Sequence, residues 1–496
     1  YEIGVRLVGS EMCIRDRIYS HSNLNVIQYV SDIDYIINLI KLQGGRCFME
    51  NDKSLEVFSS MPVPKAVIKN ALPAMAAMLM VLIYNLADTF FIGQTHNALL
   101  VAAVSLATPV YLIFMSLGTL FGIGGTSVIS RALGEGNKEK AKKACAFCFW
   151  GCVIVGVCLA VLIIIFMNPI LKLIGASADT YEYAKDYLSI VVLAGPFVLV
   201  SNCYGNVIRT EGKSGKAMLG LLIGNLVNVI LDPIFILVLD MDIKGAAIAT
   251  VIGNIVGAGF YISYFLKGKS MLSIKLKDFT VKHGIAAGVL AIGVPAALGD
   301  VLMSVSQIII NSQMSHYGDM AVAGMGVAMK VVTITGMICM GLGQGVQPIL
   351  GYCVGAKTWK RFKEVFRFTI IFALILGSVL TIICYVFTNQ IVSAFLTDQT
   401  AFAYSVKFAR ILLCTSFLFG VFYVLVNALQ AMGAATPALF ISMSRQGIIF
   451  IPALFILQAI IGMTGLVWAQ PVADILSLLV AAALFVKTMK KQSAIK

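Results

Sequence analysis

Long, nearly unbroken apolar runs alternate along the chain with short charged stretches; Cys152 to Met167, Leu219 to Leu239, Ile285 to Leu298 and Thr369 to Phe387 are four of them. Many such runs are long enough to cross the membrane, because about 20 helical residues span ~30 Å of hydrocarbon. A membrane barrel would instead show segments of about ten residues in which polar and apolar positions alternate. Hydropathy and loop breaks predict helices over 66–93, 98–125, 144–167, 184–207, 217–239 and 245–266, then over 284–314, 321–346, 368–388, 408–429, 437–461 and 465–486. The predicted fold class is an all-α membrane protein of twelve transmembrane helices in two six-helix bundles. An even number of crossings puts both termini on one side.

Composition agrees: 59% of residues are hydrophobic, 12% are charged and the mean hydropathy is +0.91, against roughly 45–50% apolar content in soluble domains. The net charge of +13 would suit a nucleic-acid partner if it were gathered into one basic domain. It is not, and no nucleic acid is expected. Lys and Arg fill the connections at 131–143, 209–216, 267–282 and 357–367, Arg131 and Arg209 among them, while the opposite connections carry Asp179, Glu182, Asp240, Asp242, Asp319 and Asp398. By the positive-inside rule both termini are cytoplasmic, and the chain is a multi-pass protein of a bacterial cytoplasmic membrane.

The expected organisation is a cytoplasmic N-terminal segment over 49–65, a first lobe over 66–266, a cytoplasmic linker over 267–283, a second lobe over 284–486 and a basic tail over 487–496. Residues 1–48 show neither a sustained apolar run nor a signal peptide with its small-residue cleavage site. Tyr1 to Arg17 resembles a translated sequencing-adaptor remnant, and Met49 is the expected start.

Sliding the sequence on itself by about 220 residues pairs Gly122 and Gly124 with Gly341 and Gly343, and Gly136-Asn137-Lys138 with Gly355-Ala356-Lys357. Within two residues the same shift pairs Pro73 with Pro295, Asn206 with Asn427, Gly212 with Gly433 and Gly245 with Gly465. Repeats of six helices share one orientation, so a pseudo-two-fold axis along the membrane normal relates the bundles and a central cleft lies between them. Alternating access by rocking of the two lobes is the corresponding expectation.

A carboxylate at mid-bilayer costs roughly 2.5–3.5 kcal/mol even on the lenient insertion scale, so Asp88 and Asp232 need a reason. Asp88 follows Pro73 by about four turns, and the proline is expected to kink the first helix. Asn228 and Asp232 stand one turn apart on the same face of an otherwise apolar helix. Either these acids only hydrogen-bond neighbouring helices, or they exchange a positive ion. In the second half Asp300 and Lys330 are opposite charges placed to pair as a structural or substrate-site couple. Enzyme chemistry finds no ligand set: the four histidines form no HExxH motif, and Cys145, Cys148 and Cys152 share a helix face without a histidine or carboxylate.

Five stretches together resemble the bacterial branch of the multidrug and toxic compound extrusion (MATE) family: Pro62-Val63-Pro64-Lys65; Tyr84-Asn85-Leu86-Ala87-Asp88-Thr89; Gly124 to Ser127 with Ser130 to Gly134; Leu231-Asp232-Pro233; and Gly341 to Pro348. The resemblance covers the chain from about Met61 onward. It implies a two-lobed antiporter, not an enzyme, that exports small amphipathic, often cationic substrates in exchange for H+ or Na+, with no other cofactor, working as a monomer in the lipid bilayer. It implies a cation site, suited to Na+ or a proton, at Asp88, Asn228, Asp232 and Thr250. Tyr84, Asn85, Asn206, Asp300 and Lys330 are the candidates for the substrate cleft or its surroundings. Helix 10 lacks the acid that some branches carry there, so a cation site in the second lobe is not implied. The rival reading is a flippase for a lipid-linked oligosaccharide or other lipid-like substrate. A diphosphate would call for several cations in the cleft, where Lys330 is the evident candidate.

Overall fold

The structure, a computed structural model, describes residues 55–93, 98–176, 179–239, 241–268, 270–282, 284–396 and 398–494, without the side chains of 86–93, 98–102, 105, 237 and 494. The expected leader over 1–48, Met49 and the side chain of Asp88 thus lie outside the described residues.

Ten helices among the described residues are long and apolar enough to cross a membrane, and two bent pairs raise the number to 12. In chain order they are α1 (Val63–Gly93), α2 (Ala98–Gly134), α3 (Lys138–Ile165), α4 (Tyr181–Leu193 and Gly195–Glu211), α5 (Ser214–Pro233, continued by a π-turn over Ile234–Val238) and α6 (Asp242–Leu266). Then follow α7 (Ile285–Ser315), α8 (Asp319–Gly355), α9 (Trp359–Val386), α10 (Gln399–Leu413 and Ser416–Ala431), α11 (Ala435–Met443 and Phe450–Ile461 around a π-turn at Ser444–Ile448) and α12 (Met463–Ala494). Each predicted helix is present. The main difference is length: α2 and α8 run on to Gly134 and Gly355, because the polar residues that end the hydropathy signal face protein instead of lipid.

Local chemistry sets the ends and breaks. The Asn137 side chain accepts from the Lys140 amide at 2.9 Å at the start of α3, and Asp398 accepts from the Ala401 amide at 2.9 Å at the start of α10. The 54° bend in α4 falls at Gly195-Pro196, where proline removes a backbone donor and a Cβ on Gly195 would collide with the Phe114 ring. The 42° bend in α10 falls at Thr415-Ser416, with the Ser416 hydroxyl donating back to the Leu412 carbonyl at 3.2 Å. Helix α1, by contrast, continues as a single helix through Pro73; the pronounced breaks belong to α4 and α10, not to the expected kink.

The structural repeat has an offset of 221 residues. Gly212 and Gly433 both take φ of +71° and end the corresponding helices. Gly136 (φ +75°) pairs with Lys357 (φ +56°), each just past the end of α2 or α8, which corrects by two residues the expected match of Gly136 with Gly355. Gly355 pairs instead with Gly134, and their contacts are reciprocal: a Cβ on Gly134 would collide with the Tyr352 carbonyl, and one on Gly355 with the Arg131 carbonyl.

The two bundles meet along a seam of such close approaches. Gly341 and Gly345 of α8 lie against the backbone of Ala74-Met75 and Asn70-Ala71 in α1, while Gly293 of α7 lies against Leu120 of α2. Small residues let helices approach within dispersion range in a medium that supplies no hydrophobic force between them. Ser127 of α2 donates its hydroxyl to the Gln430 carbonyl of α10, and Ser116 donates to the Ala297 carbonyl of α7 at 2.9 Å. These named contacts involve the halves of α1, α2, α7 and α8 nearest the basic connections.

Candidate functional site

Helices α5 and α6 touch through glycine. A Cβ on Gly253 would come within 2.7 Å of the Gly224 carbonyl oxygen and 2.9 Å of Asn228 Cβ, so only bare backbone permits this approach. One turn along α5 the Asn228 amide donates to the Thr250 hydroxyl of α6 at 3.3 Å. Asp232 follows after another turn. Their exposures are 3% for Asn228, 4% for Thr250 and 0% for Asp232, and Asp232 directly precedes Pro233 and the π-turn of α5. Such turns interrupt regular bonding and are frequent at functional sites.

Beside this cluster lies a cavity with about 300 Å³ of empty space, partly open to the outside of the molecule, between α1, α2, α4, α5 and α6. Tyr84, Tyr111, Ser201, Asn225, Asn228 and Asn254 give it a neutral hydrogen-bonding wall, and Leu221, Gly224 and Gly253 complete it. Asn254 donates to the Thr250 carbonyl at 2.8 Å, which ties the cavity wall to the cluster. The donor set of a carboxylate, an amide oxygen and a hydroxyl consists of hard oxygens suited to Na+. The Asn228 amide oxygen is buried without a protein donor, as a cation ligand would be.

The predicted residues do not all converge here. Asn228, Asp232 and Thr250 come together and Tyr84 lines the adjoining cavity. Asn85 is exposed, and the Asp88 side chain lies outside the described residues. Asn206, expected close to the cation cluster, belongs to a different one at the bundle seam. There its amide donates to the Asn202 carbonyl and its oxygen accepts from Arg209, each at 3.1 Å. Asp300 and Lys330 do not pair: Asp300 of α7 has Thr119 of α2 as its side-chain partner, and the Lys330 ammonium lies 5.1 Å above the Phe395 ring.

Three charged residues escaped the sequence reading. Arg209, grouped there with the loop cations, is only 1% exposed and reaches across the seam to the Gln344 side chain of α8 at 2.9 Å. Arg445 of α11 and Asp474 of α12 form a buried ion pair at 2.8 Å. The Asp474 carboxylate also accepts from Gln470 at 2.9 Å and from Thr415 at 3.2 Å. The Arg445 guanidinium lies over the rings of Phe419, Phe422 and Tyr423 at 4.6, 5.0 and 5.6 Å. A signal existed: two adjacent predicted spans each carry one charge, of opposite sign.

The MatE family model matches this chain twice, over residues 73–234 and 295–477, one match in each structural repeat. The multidrug export protein MepA of Staphylococcus aureus (strain N315) is 32% identical over 430 residues, spanning 87% of this chain and 95% of that protein. Its counterpart in Staphylococcus haemolyticus is 32% identical over 424 residues, spanning 85% and 93%. A solved structure of a multidrug resistance MATE family transporter of the MOP superfamily, in an outward-facing conformation, superposes with a TM-score of 0.85 at 21% identity, covering 89% of this chain and 99% of that one. The fold is therefore that of the MATE transporters, and the chain belongs to the MatE family.

Proposed function

We propose that this protein is a secondary antiporter of the bacterial cytoplasmic membrane that exports amphipathic, often cationic compounds in exchange for H+ or Na+. The observation that carries the reading is the buried set of Asn228, Asp232 and Thr250 beside a polar cavity in the first bundle. A carboxylate held at membrane depth is expensive unless a positive ion neutralises it. Relatives that are multidrug export proteins support the substrate class.

In this mechanism an ion arriving from outside binds at Asp232 with Asn228 and Thr250, and Asp88 completes the set. Binding changes how α5 and α6 pack against α1 and lowers the affinity of the cleft for its substrate, which leaves outward. The seam at the basic end acts as the cytoplasmic closure, and its parting returns the cleft to the inside. Moving one elementary charge across ~100 mV supplies about 2.3 kcal/mol, near fortyfold in concentration for a neutral substrate. A cationic substrate exchanged one for one cancels that electrical term and draws on the ion gradient alone.

A lipid-linked-sugar flippase would need free cations in the cleft. Arg209 and Arg445 add buried cations, but Gln344, Asn206 and Asp474 hold them, so this reading gains nothing from them. The deciding experiment is efflux of a cationic dye from vesicles under separately imposed H+ and Na+ gradients, wild type against Asp232→Asn. Loss of gradient-driven efflux in the variant is the expected result. Equal efflux by both proteins would remove Asp232 from the ion site, and no dye movement beside translocation of a lipid-linked sugar would establish the flippase.

A further inference from the structure

Applying the 221-residue offset to the cavity of the first bundle gives three matched positions. Ser201, Gly224 and Gly253, which line that cavity, correspond to Phe422, Arg445 and Asp474. The contacts correspond as well: Gly224 touches Gly253 in one bundle, and Arg445 is bonded to Asp474 in the other. Where the first bundle has two glycines and open space, the second has a cation, a carboxylate and an aromatic ring.

The geometry points to Arg445 as a built-in monovalent cation, filling in the second bundle the place that the first bundle keeps open for an exchangeable one, with Asp474 as the carboxylate of a latent cation site. The guanidinium has the surroundings a bound cation would want: a carboxylate at 2.8 Å, the Tyr423 hydroxyl at 3.3 Å and three aromatic faces. Because it is covalently attached, it cannot leave during a transport cycle. Only the first bundle then exchanges an ion, and the second stays in its cation-bound packing. Withdrawing the guanidinium would leave Asp474 buried with two neutral donors, Gln470 and Thr415, and a buried carboxylate without a counter-charge recruits a proton or a metal cation. The other titratable groups facing this pair are Tyr423 and Cys414 of α10 and Cys339 of α8; none of them supplies a cation.

The word exchangeable rests on the reading of the first bundle given above; the demand of Asp474 for a cation does not. The test measures cations bound per chain on the purified full-length protein, with radiolabelled sodium and, separately, by proton uptake. Asp232→Asn is expected to bind none at the paired sites. Adding Arg445→Gln to it is expected to restore one Na+ or one proton per chain, which disappears again with Asp474→Asn and is absent with Arg445→Lys. The inference is overturned if Arg445→Gln gains no cation, or if the gain survives Asp474→Asn. It is also overturned if Arg445→Gln fails to accumulate while Arg445→Gln/Asp474→Asn accumulates normally, since Asp474 then cannot recruit a free cation. Asp232→Asn alone keeps the test decisive whatever the Arg445 variants do: a cation that remains bound there and is lost with Asp474→Asn would show the second site to be exchangeable already. A wild type without any cation, beside an Arg445→Gln variant that binds one through Asp474, would sink the first-bundle ion site and leave this inference standing.

Discussion

The two bundles share one backbone plan and handle charge in opposite ways. In the first, Asp232 is buried beside an amide, a hydroxyl and a cavity of neutral polar walls. In the second, the matching volume is filled by Arg445 clasped between Asp474 and aromatic rings. A duplicated fold can thus keep its helix packing while one copy retains an open polar site and the other seals it. The seam glycines, whose contacts are reciprocal between copies, belong to the shared plan; the side chains inside each bundle do not.

The largest effect should come from Asp232→Asn, which under the proposed mechanism lowers gradient-driven dye efflux by about tenfold or more, equivalent to at least ~1.4 kcal/mol. Efflux assays in vesicles check it, and Asp474→Asn should not reproduce that specific loss of ion dependence. Next is Arg445→Met, expected to destabilise the fold by about 3–5 kcal/mol because it strands a buried carboxylate, while Arg445→Met/Asp474→Leu should return close to the wild-type value. Denaturant midpoints in detergent, in cation-poor buffer, would show whether the pair is a unit.

A smaller effect is expected for Gly253→Ala, about 1–3 kcal/mol, since the new methyl would push α5 away from α6 and part Asn228 from Thr250. Gly299→Ala in the second bundle, where the nearest atom to a new Cβ is 3.5 Å away, should change stability by less than about 0.5 kcal/mol. The smallest is Thr250→Val, which removes one acceptor from Asn228 at a cost of about 1 kcal/mol. It should weaken Na+-driven efflux more than H+-driven efflux, because the hydroxyl is a metal ligand and not a proton carrier; equal losses under both gradients would argue against a sodium role for this oxygen.

Much of this was legible in the chain. Continuous apolar runs located all twelve helices, and ordered glycine and proline matches exposed the repeat, although the shift needed backbone geometry at Gly136 and Lys357 to be placed correctly. The pair Asn228 and Asp232 was visible because helical spacing puts polar residues one turn apart on a single face. Arg445 and Asp474 were harder to see, since each is one charge averaged into a strongly apolar span and their partnership is between helices. Arg209 was misplaced for a related reason: it sits next to Lys213 and Lys216 in sequence, and only the approach of α8 turns that position into protein interior. Asn206 went astray in the same way, sharing an arginine with the opposite bundle instead of an aspartate with its own.

The stretch between α6 and α7 is far less slack than its length suggests. Glu211, fully buried, accepts hydrogen bonds from Tyr264, from the Ser270 hydroxyl and from the Met271 amide. Trp150 of α3 donates to the Ile274 carbonyl at 3.2 Å, and Phe279 stacks on Phe147 of α3 with 6.1 Å between ring centres. The strap is fastened to the first bundle almost to its end, leaving 280–284 as free cord before α7. Five residues reach at most about 17 Å when fully extended, so this short leash sets an upper bound on how far the start of α7 can swing from its anchorage before stacked rings and buried bonds must be torn loose.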